Sequence, residues 1–163
     1  GRITVTGGAA DFMNDYGFIL RHLAQLKERF DLSFLGIGID PHNAAGVMQE
    51  LEAFGCPVVA ITQSARSLND ATTAVQLLVK SGRIEYDASD ELLTWSVVNA
   101  AITRNSFDEI KIDKKPGARF KRIDPVDAWI DAHALLLLNG NGDSGELDVS
   151  DALDEYLAAM GWQ

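Results

Sequence analysis

The chain has 163 residues, of which 47% are apolar, enough for one globular domain with a sizeable core. Its formal net charge of −10 argues against a simple nucleic-acid-coating protein, because phosphate binding requires cationic surface. The longest apolar run, 133–138, is far shorter than the roughly 20 residues of a membrane span. Cys56 is the single cysteine, which excludes a disulfide framework and a thiolate metal cluster, and we expect a soluble protein in a reducing cytoplasm.

The first half of the chain predicts alternating strands and helices. Residues 2–6 alternate and are β-branched, as in a strand, and apolar residues recur at helical spacing from Phe12 to Phe30. The apolar runs 32–39 and 57–61 are typical of strands buried on both faces of a parallel sheet, joined by a helix that ends at Gly55. Asp40 then lies at the carboxyl end of a strand, where α/β proteins bind ligands.

The second half predicts more helices around a strand pair. Residues 66–81 predict a helix capped by Ser67 or Asn69, followed by a short extended piece at 83–87. A helix is predicted to begin near Asp90, and its later part, 99–105, has the pattern of a strand. Apolar and polar residues alternate over 108–114, as in an edge strand. A late helix starts near Asp124, and residues 148–160 predict a closing amphipathic helix. We expect Trp95 and Trp129 to pack in the core.

Charge is unevenly distributed along the chain. The segment 111–122 contains six basic residues against a single acid, Asp113, whereas the region 139–163 forms an acidic tail. The basic residues are Lys111, Lys114, Lys115, Arg119, Lys121 and Arg122. Such a segment is suited to holding a phosphate backbone without discriminating its sequence.

Several familiar motifs are excluded. The run 36–40 is not a dinucleotide fingerprint, because Pro41 stands where GxGxxG requires a glycine, and no phosphate-binding loop pattern occurs. The run from Asn139 departs from a calcium loop at its first ligand, its turn glycine and its last ligand. We interpret His22, His42 and His133 as surface or hydrogen-bonded histidines rather than metal ligands.

Three aspartates, Asp124, Asp127 and Asp131, follow the basic segment at helical spacing, so a helix stacks their like charges on one face. One explanation is helix capping, with Asp124 as the N-cap, Pro125 at the first helical position and Asp127 favouring the helix dipole. The other is a divalent metal bound together with Asp40, since hard cations such as Mg²⁺ or Mn²⁺ prefer oxygen ligands.

The order of these segments resembles the C-terminal nuclease domain of tailed-bacteriophage terminase large subunits, from residue 2 to about 138. The resemblance is carried by "LGIGIDPHNAAGVMQELEAFGCPVVAITQ", "LLTWSVVNA" and "KRIDPVDAWIDAHAL". It implies an α/β, RNase H-like fold with a central mixed sheet flanked by helices. It also implies a two-metal endonuclease, using Mg²⁺ or Mn²⁺, that cuts concatemeric double-stranded viral DNA during packaging.

By the same resemblance, Asp40 corresponds to the second metal-binding acid of the family, Asp124 to the third, and Asp127 to an additional ligand found in some members. Gln63 lies where members often have glutamine. We expect DNA to be bound by Lys114, Lys115, Arg119 and Lys121.

The resemblance also implies partners, in the cytoplasm of a bacterial host. They are the ATPase domain of the full-length chain, the small terminase subunit and the portal.

One departure concerns the first catalytic acid of the family, which lies on a strand before the segment 2–6. The chain begins at Gly1, and Asp11 and Asp15 are poor substitutes, so we expect a truncated domain with weak or no cutting activity. We predict one nuclease-type domain over 1–163, with a core at 2–138. The alternatives are a non-catalytic α/β module that docks on a partner protein and, less favoured, a nucleotide-binding regulator.

Overall fold

A computed structural model describes residues 16–42, 45–117 and 121–140 of the chain. The strand predicted at 2–6 and the helix predicted at 148–160 lie outside these residues. The chain divides into two compact units, 1–63 and 64–163. No helix in the described ranges is long and apolar enough to cross a membrane. That both units form a single domain stays a prediction.

The first unit contains a strand–helix–strand arrangement preceded by a helix. Its elements are α1 (Tyr16–Phe30), β1 (Ile37–Ile39), α2 (Ala45–Glu52) and β2 (Val58–Ala60). β1 and β2 pair in parallel with Ile37 opposite Val58, as the two apolar runs predicted. Helix α2 ends at Glu52, three residues before the predicted stop, and Gly55 in the turn that follows has φ +75°, the left-handed conformation that favours glycine.

The two parallel strands are shorter and less buried than predicted. Only three residues of each run form the strand, and none of those six is fully buried. The buried apolar residues of this unit are instead Val47 and Leu51 on α2, and Ile61 just after β2. The apolar run indicated the strand correctly, but full burial on both faces was wrong for the described residues.

The second unit places an antiparallel hairpin against helices. Its elements are α3 (Ala65–Lys80), α4 (Glu91–Asn99), β3 (Ala100–Arg104), β4 (Ile110–Lys114) and α5 (Asp124–Gly140). β3 and β4 pair with Ala100 opposite Lys114, and α3 packs against both β4 and α5. The predicted change from helix to strand near Asn99 is confirmed, and residues 83–87, predicted as a short extended piece, lie in neither a helix nor a strand.

Helix α3 begins one residue before the predicted 66, but its N-cap lies about one turn before the predicted Ser67. Ser64 is the N-cap, and its Oγ accepts the backbone N–H of Ser67 at 3.1 Å. Ser67 is therefore the capped residue rather than the cap, and Asn69 lies inside the helix. Sequence reasoning missed Ser64 because serine and asparagine at three nearby positions are all good caps.

The core of the second unit is formed by one face of α3, the start of β4 and one face of α5. Leu68, Ala71 and Val75 on α3 are at most 5% exposed, and Ile110 on β4 is 6% exposed. From α5 and the residue before it, the fully buried apolar residues are Ile123, Val126, Ile130, Ala134 and Leu135. Because Val126 and Ile130 are buried, Asp127 between them is held at the edge of the core.

Candidate metal and DNA site

The candidate site is built on the first turns of α5. The carbonyl of Ile123 accepts the backbone N–H of Asp127 at 2.9 Å, which is the first hydrogen bond of the helix. Asp124 is therefore the first helical residue and Pro125 the second, so the assignment of Asp124 as N-cap was wrong by one position. Asp124 and Asp127 both lie in the first turn, where acids favour the helix dipole.

Asp127 has the most perturbed environment of these acids. Its side chain is half-buried, and the pKa of its carboxyl is raised to about 6, with burial as the largest cause. The negative charges of Asp131, Asp124 and Asp113 contribute to this rise, whereas Lys111 opposes it. Burial and like charges both disfavour the ionised carboxylate, so this group binds a proton, or another cation, more readily than an ordinary aspartate.

The structure brings Asp113 into this acidic group, which sequence reasoning did not foresee. Asp113 lies on β4, and its charge acts on Asp127 across the boundary between β4 and α5. The sequence held one signal for this placement, namely the alternation of apolar and charged residues along β4. It puts Lys111 and Asp113 on the face opposite to Ile110 and Ile112.

Asp40 directly follows β1, as predicted, and its side chain is exposed. Its Oδ1 accepts the backbone N–H of His42 at 2.9 Å, which closes a local turn after the strand. Asp40 belongs to the first unit and Asp124 and Asp127 to the second. That the three carboxylates converge stays a prediction. Within residues 16–42, 45–117 and 121–140, no three His, Cys, Asp or Glu side chains form a metal-holding group.

The basic residues predicted to bind DNA lie between Asp113 and Asp124 along the chain. Lys114 ends β4 and is half-buried, Lys115 follows it, and Lys121 is exposed just before α5. The Lys115 ammonium donates a hydrogen bond to the carbonyl of Val98 at the end of α4, so it has a structural role as well. Arg119 lies outside the described residues.

Two aromatic predictions differ from the structure. Trp95 is 41% exposed rather than packed in the core.

His133 was expected to lie on the surface or to be hydrogen-bonded, but its Nε2 is buried with no partner in the described part of the chain. Burial lowers the pKa of the His133 imidazole, which favours its neutral form. His22 is exposed and stacks on Phe18, in agreement with a surface histidine.

Taken together, these features define an α/β protein. One aspartate follows a parallel strand, and two more lie in the first turn of a late helix that is preceded by a basic segment. A family model described as "Terminase large subunit, endonuclease domain" matches residues 4–138. The chain therefore belongs to the terminase large subunit endonuclease domain family, as the sequence resemblance predicted.

A solved structure has a fold similar to that of this chain. The crystal structure of the HK97 bacteriophage large terminase matches with a TM-score of 0.62 and 24% sequence identity. The match covers 74% of this chain and 25% of that one, so the chain spans about a quarter of the length of this relative. At this identity the likeness shows the fold alone, the RNase H-like α/β fold of terminase nucleases. No curated protein matches the chain.

Proposed function

We propose that this chain provides the nuclease site of a DNA-packaging terminase and cuts concatemeric double-stranded DNA with Mg²⁺ or Mn²⁺. The observation that supports this most directly is the environment of Asp127, a half-buried acid in a terminase nuclease family member whose pKa is raised by burial and by the charges of Asp131, Asp124 and Asp113. Structural ion pairs also perturb pKa values, but here the neighbours are mostly of like charge, which destabilises the domain unless a cation is bound.

The donor chemistry fits a hard divalent cation. The neighbours that act on Asp127 offer only carboxylate oxygens, apart from the Lys111 ammonium, and Mg²⁺ and Mn²⁺ prefer oxygen ligands. The proposed metal ligands and catalytic residues are Asp40, Asp124 and Asp127. When bound, two such ions activate water and stabilise the leaving oxygen of a phosphodiester. The carboxylates hold the ions, and Lys114, Lys115, Arg119 and Lys121 orient the DNA backbone through charge.

The proposed partners follow from membership of the family. They are double-stranded DNA, the ATPase domain of the large subunit and, by family resemblance alone, the small terminase subunit and portal, in the cytoplasm of the infected host.

The decisive experiment is plasmid nicking in Mn²⁺ by the chain extended to include any residues encoded upstream of Gly1. Asp40→Ala and Asp124→Ala are each expected to abolish nicking, because each removes a proposed metal ligand. Glu91→Ala, an exposed acid in the first turn of α4, is the matched control and is expected to nick normally. Equal nicking by both aspartate variants and the control would overturn the proposal.

The second candidate function is the non-catalytic docking module. One observation favours it, namely that α4 exposes several large apolar side chains, including Trp95 and Val98. In that case the aspartates of α5 serve only its first turn, and neither nicking nor metal binding is expected. The response of the melting temperature to Mn²⁺ separates the two functions, because only a metal site gains stability from the ion.

A further inference from the structure

Helix α4 buries polar side chains and exposes large apolar ones. Its two fully buried residues are polar, Ser96 at 0% and Asn99 at 3% exposure. Its large apolar residues are exposed, with Trp95 at 41%, Val97 at 42% and Val98 at 59%. Large apolar side chains exposed together on a surface are typical of contact sites, so this outer side of α4 is suited to contact with another element.

The outer side of α4 forms one wall of an apolar groove in the second unit, here called the α4 groove. Its cavity volume is about 990 Å³. The main apolar lining residues are Val97 and Val98 on α4, Leu78 and Val79 on α3, Tyr86 in the following loop, and Trp129 on α5. Val79 and Tyr86 are more than half exposed, which makes this a continuous apolar patch of the kind found at interaction sites.

We propose that the α4 groove is the docking site of residues 148–160 of the same chain. In helical form this segment places Val149, Leu153, Tyr156 and Met160 at i, i+4, i+7 and i+11, which is one continuous apolar stripe. An amphipathic helix that inserts such a stripe into an apolar groove is a common mode of recognition. The proposal goes beyond the nuclease function and does not depend on it.

The length of the connection permits this docking. α5 forms part of the groove at Trp129 and ends at Gly140, about 16 Å further along at 1.5 Å per residue. The intervening residues 141–147 span up to roughly 24 Å when extended. They include Gly142, Ser144 and Gly145, residue types that favour turns. The segment can therefore return along α5 to the groove.

Tethering favours this segment over a second copy of the chain. A short tether gives an effective concentration on the order of millimolar, well above that of a second chain at micromolar concentration. The charged residues that line the groove are Arg83, Glu85 and Asp90. Arg83 offsets one of the two acids, and Asp90 also caps α4 by accepting the N–H of Leu93, so the net charge of the groove is only −1. Docking should therefore depend on apolar contact and respond little to salt.

The test is photo-crosslinking in the full chain, with benzoylphenylalanine in place of Val98, or of Val79 as a second probe position. Ultraviolet irradiation followed by peptide mass spectrometry is expected to give crosslinks within one chain to residues 148–160. The control places the same probe at Phe107, the tip of the β3–β4 hairpin, which is 82% exposed and belongs to the same unit. From there, we expect crosslinks to 148–160 at least tenfold weaker.

A matched pair of tail variants tests the apolar stripe. Leu153→Asp introduces a charge into the stripe and is expected to reduce the crosslink at least fivefold, whereas Ala158→Asp adds the same charge on the opposite helix face and should leave it unchanged. The proposal is overturned if the crosslinks join two different chains, if both groove probes crosslink no more strongly than the Phe107 probe, or if Leu153→Asp has no effect. Loss of the crosslink in 0.5 M NaCl would also overturn it, because apolar docking should persist in that salt.

Discussion

Asn69 on α3 accepts the outward-facing backbone N–H of Ile110 on β4, with 3.0 Å between Oδ1 and N. The neighbouring pair, Asn105 and Glu109, is hydrogen-bonded across the hairpin, so the N–H of Ile110 points away from β3. Ile110 is only 6% exposed, and water has little access to this group. The asparagine side chain thus replaces a missing strand partner and fixes β4, with Asp113 on it, against α3.

Replacing Asn69 by alanine should therefore destabilise the second unit. The Ile110 N–H would be left buried without an acceptor, which costs about 1–3 kcal/mol of unfolding free energy. Urea denaturation followed by circular dichroism measures this difference, with Gln76→Ala on the same helix as the control. A loss below 0.5 kcal/mol, similar to a surface substitution on a helix, would mean that the hydrogen bond contributes nothing measurable.

Asp127 should impose a measurable pH dependence on stability. Its pKa is raised from 3.8 to about 6 in the folded chain, so the folded state binds this proton more tightly than the unfolded state does. The unfolding free energy should consequently fall as pH rises from about 4 to about 6. Above that range the carboxylate is charged in both states and the penalty stays constant.

The Asp127→Asn variant isolates this contribution. It should be more stable than the parent chain at pH 7 by about 1 kcal/mol, a figure reduced for the partial exposure of the side chain. At pH 4 the two proteins should be nearly equal in stability. The measurement is urea denaturation at both pH values, with Glu91→Gln as the control. A stability difference that is independent of pH would contradict the assignment of the shift to Asp127.

Millimolar Mn²⁺ should raise the melting temperature if the aspartates hold a metal. At tenfold excess over the dissociation constant the stabilisation is about 1.4 kcal/mol. For a chain of this size that corresponds to roughly 3–5 °C. The shift should be larger at pH 8 than at pH 5.5, because protons compete with the metal for the carboxylates.

Three variants test the ligands in this melt. Asp40→Ala, Asp124→Ala and Asp127→Ala should each abolish or greatly reduce the response to Mn²⁺, whereas Glu91→Ala should retain it. If the parent chain gives no shift, the docking-module function is favoured instead. A full shift in Asp40→Ala together with loss in the two α5 variants would place Asp40 outside the site.

Lys121→Ala should weaken DNA binding equally for all DNA sequences and flatten its salt dependence. Removing one phosphate-binding cation reduces the slope of log K against log salt by about 0.9 for double-stranded DNA. Fluorescence anisotropy between 50 and 200 mM NaCl measures this, with Lys80→Ala at the exposed end of α3 as the control. An unchanged slope for Lys121→Ala would remove this residue from the DNA surface.

Lys115→Ala should behave differently from Lys121→Ala. The Lys115 ammonium is bound to the carbonyl of Val98, so its removal should also lower stability by about 1 kcal/mol. The salt slope should change less than in Lys121→Ala, because the ammonium is already engaged. Equal slopes with unchanged stability would show that the hydrogen bond to Val98 contributes nothing measurable and leaves the ammonium available to DNA.

The sequence by itself determined the order of the main elements and the family. Apolar runs predicted β1 and β2, helical periodicity predicted α1, α3 and α5, and alternation predicted β4, because these patterns depend on the local geometry of the backbone. The positions of Asp40 after a strand and of Asp127 in the first turn of α5 followed from the same patterns, whereas Asp124 is the first helical residue rather than the predicted N-cap.

Tertiary structure alone decided which side chains meet and which are covered. Asp113 acts on Asp127, and Asn69 binds Ile110, through contacts between elements that no local pattern encodes. Trp95 was expected in the core, yet it is exposed, whereas Ser96 on the same helix is buried. Burial depends on the neighbours that the rest of the chain supplies, since periodicity identifies a face of a helix but not what packs against it.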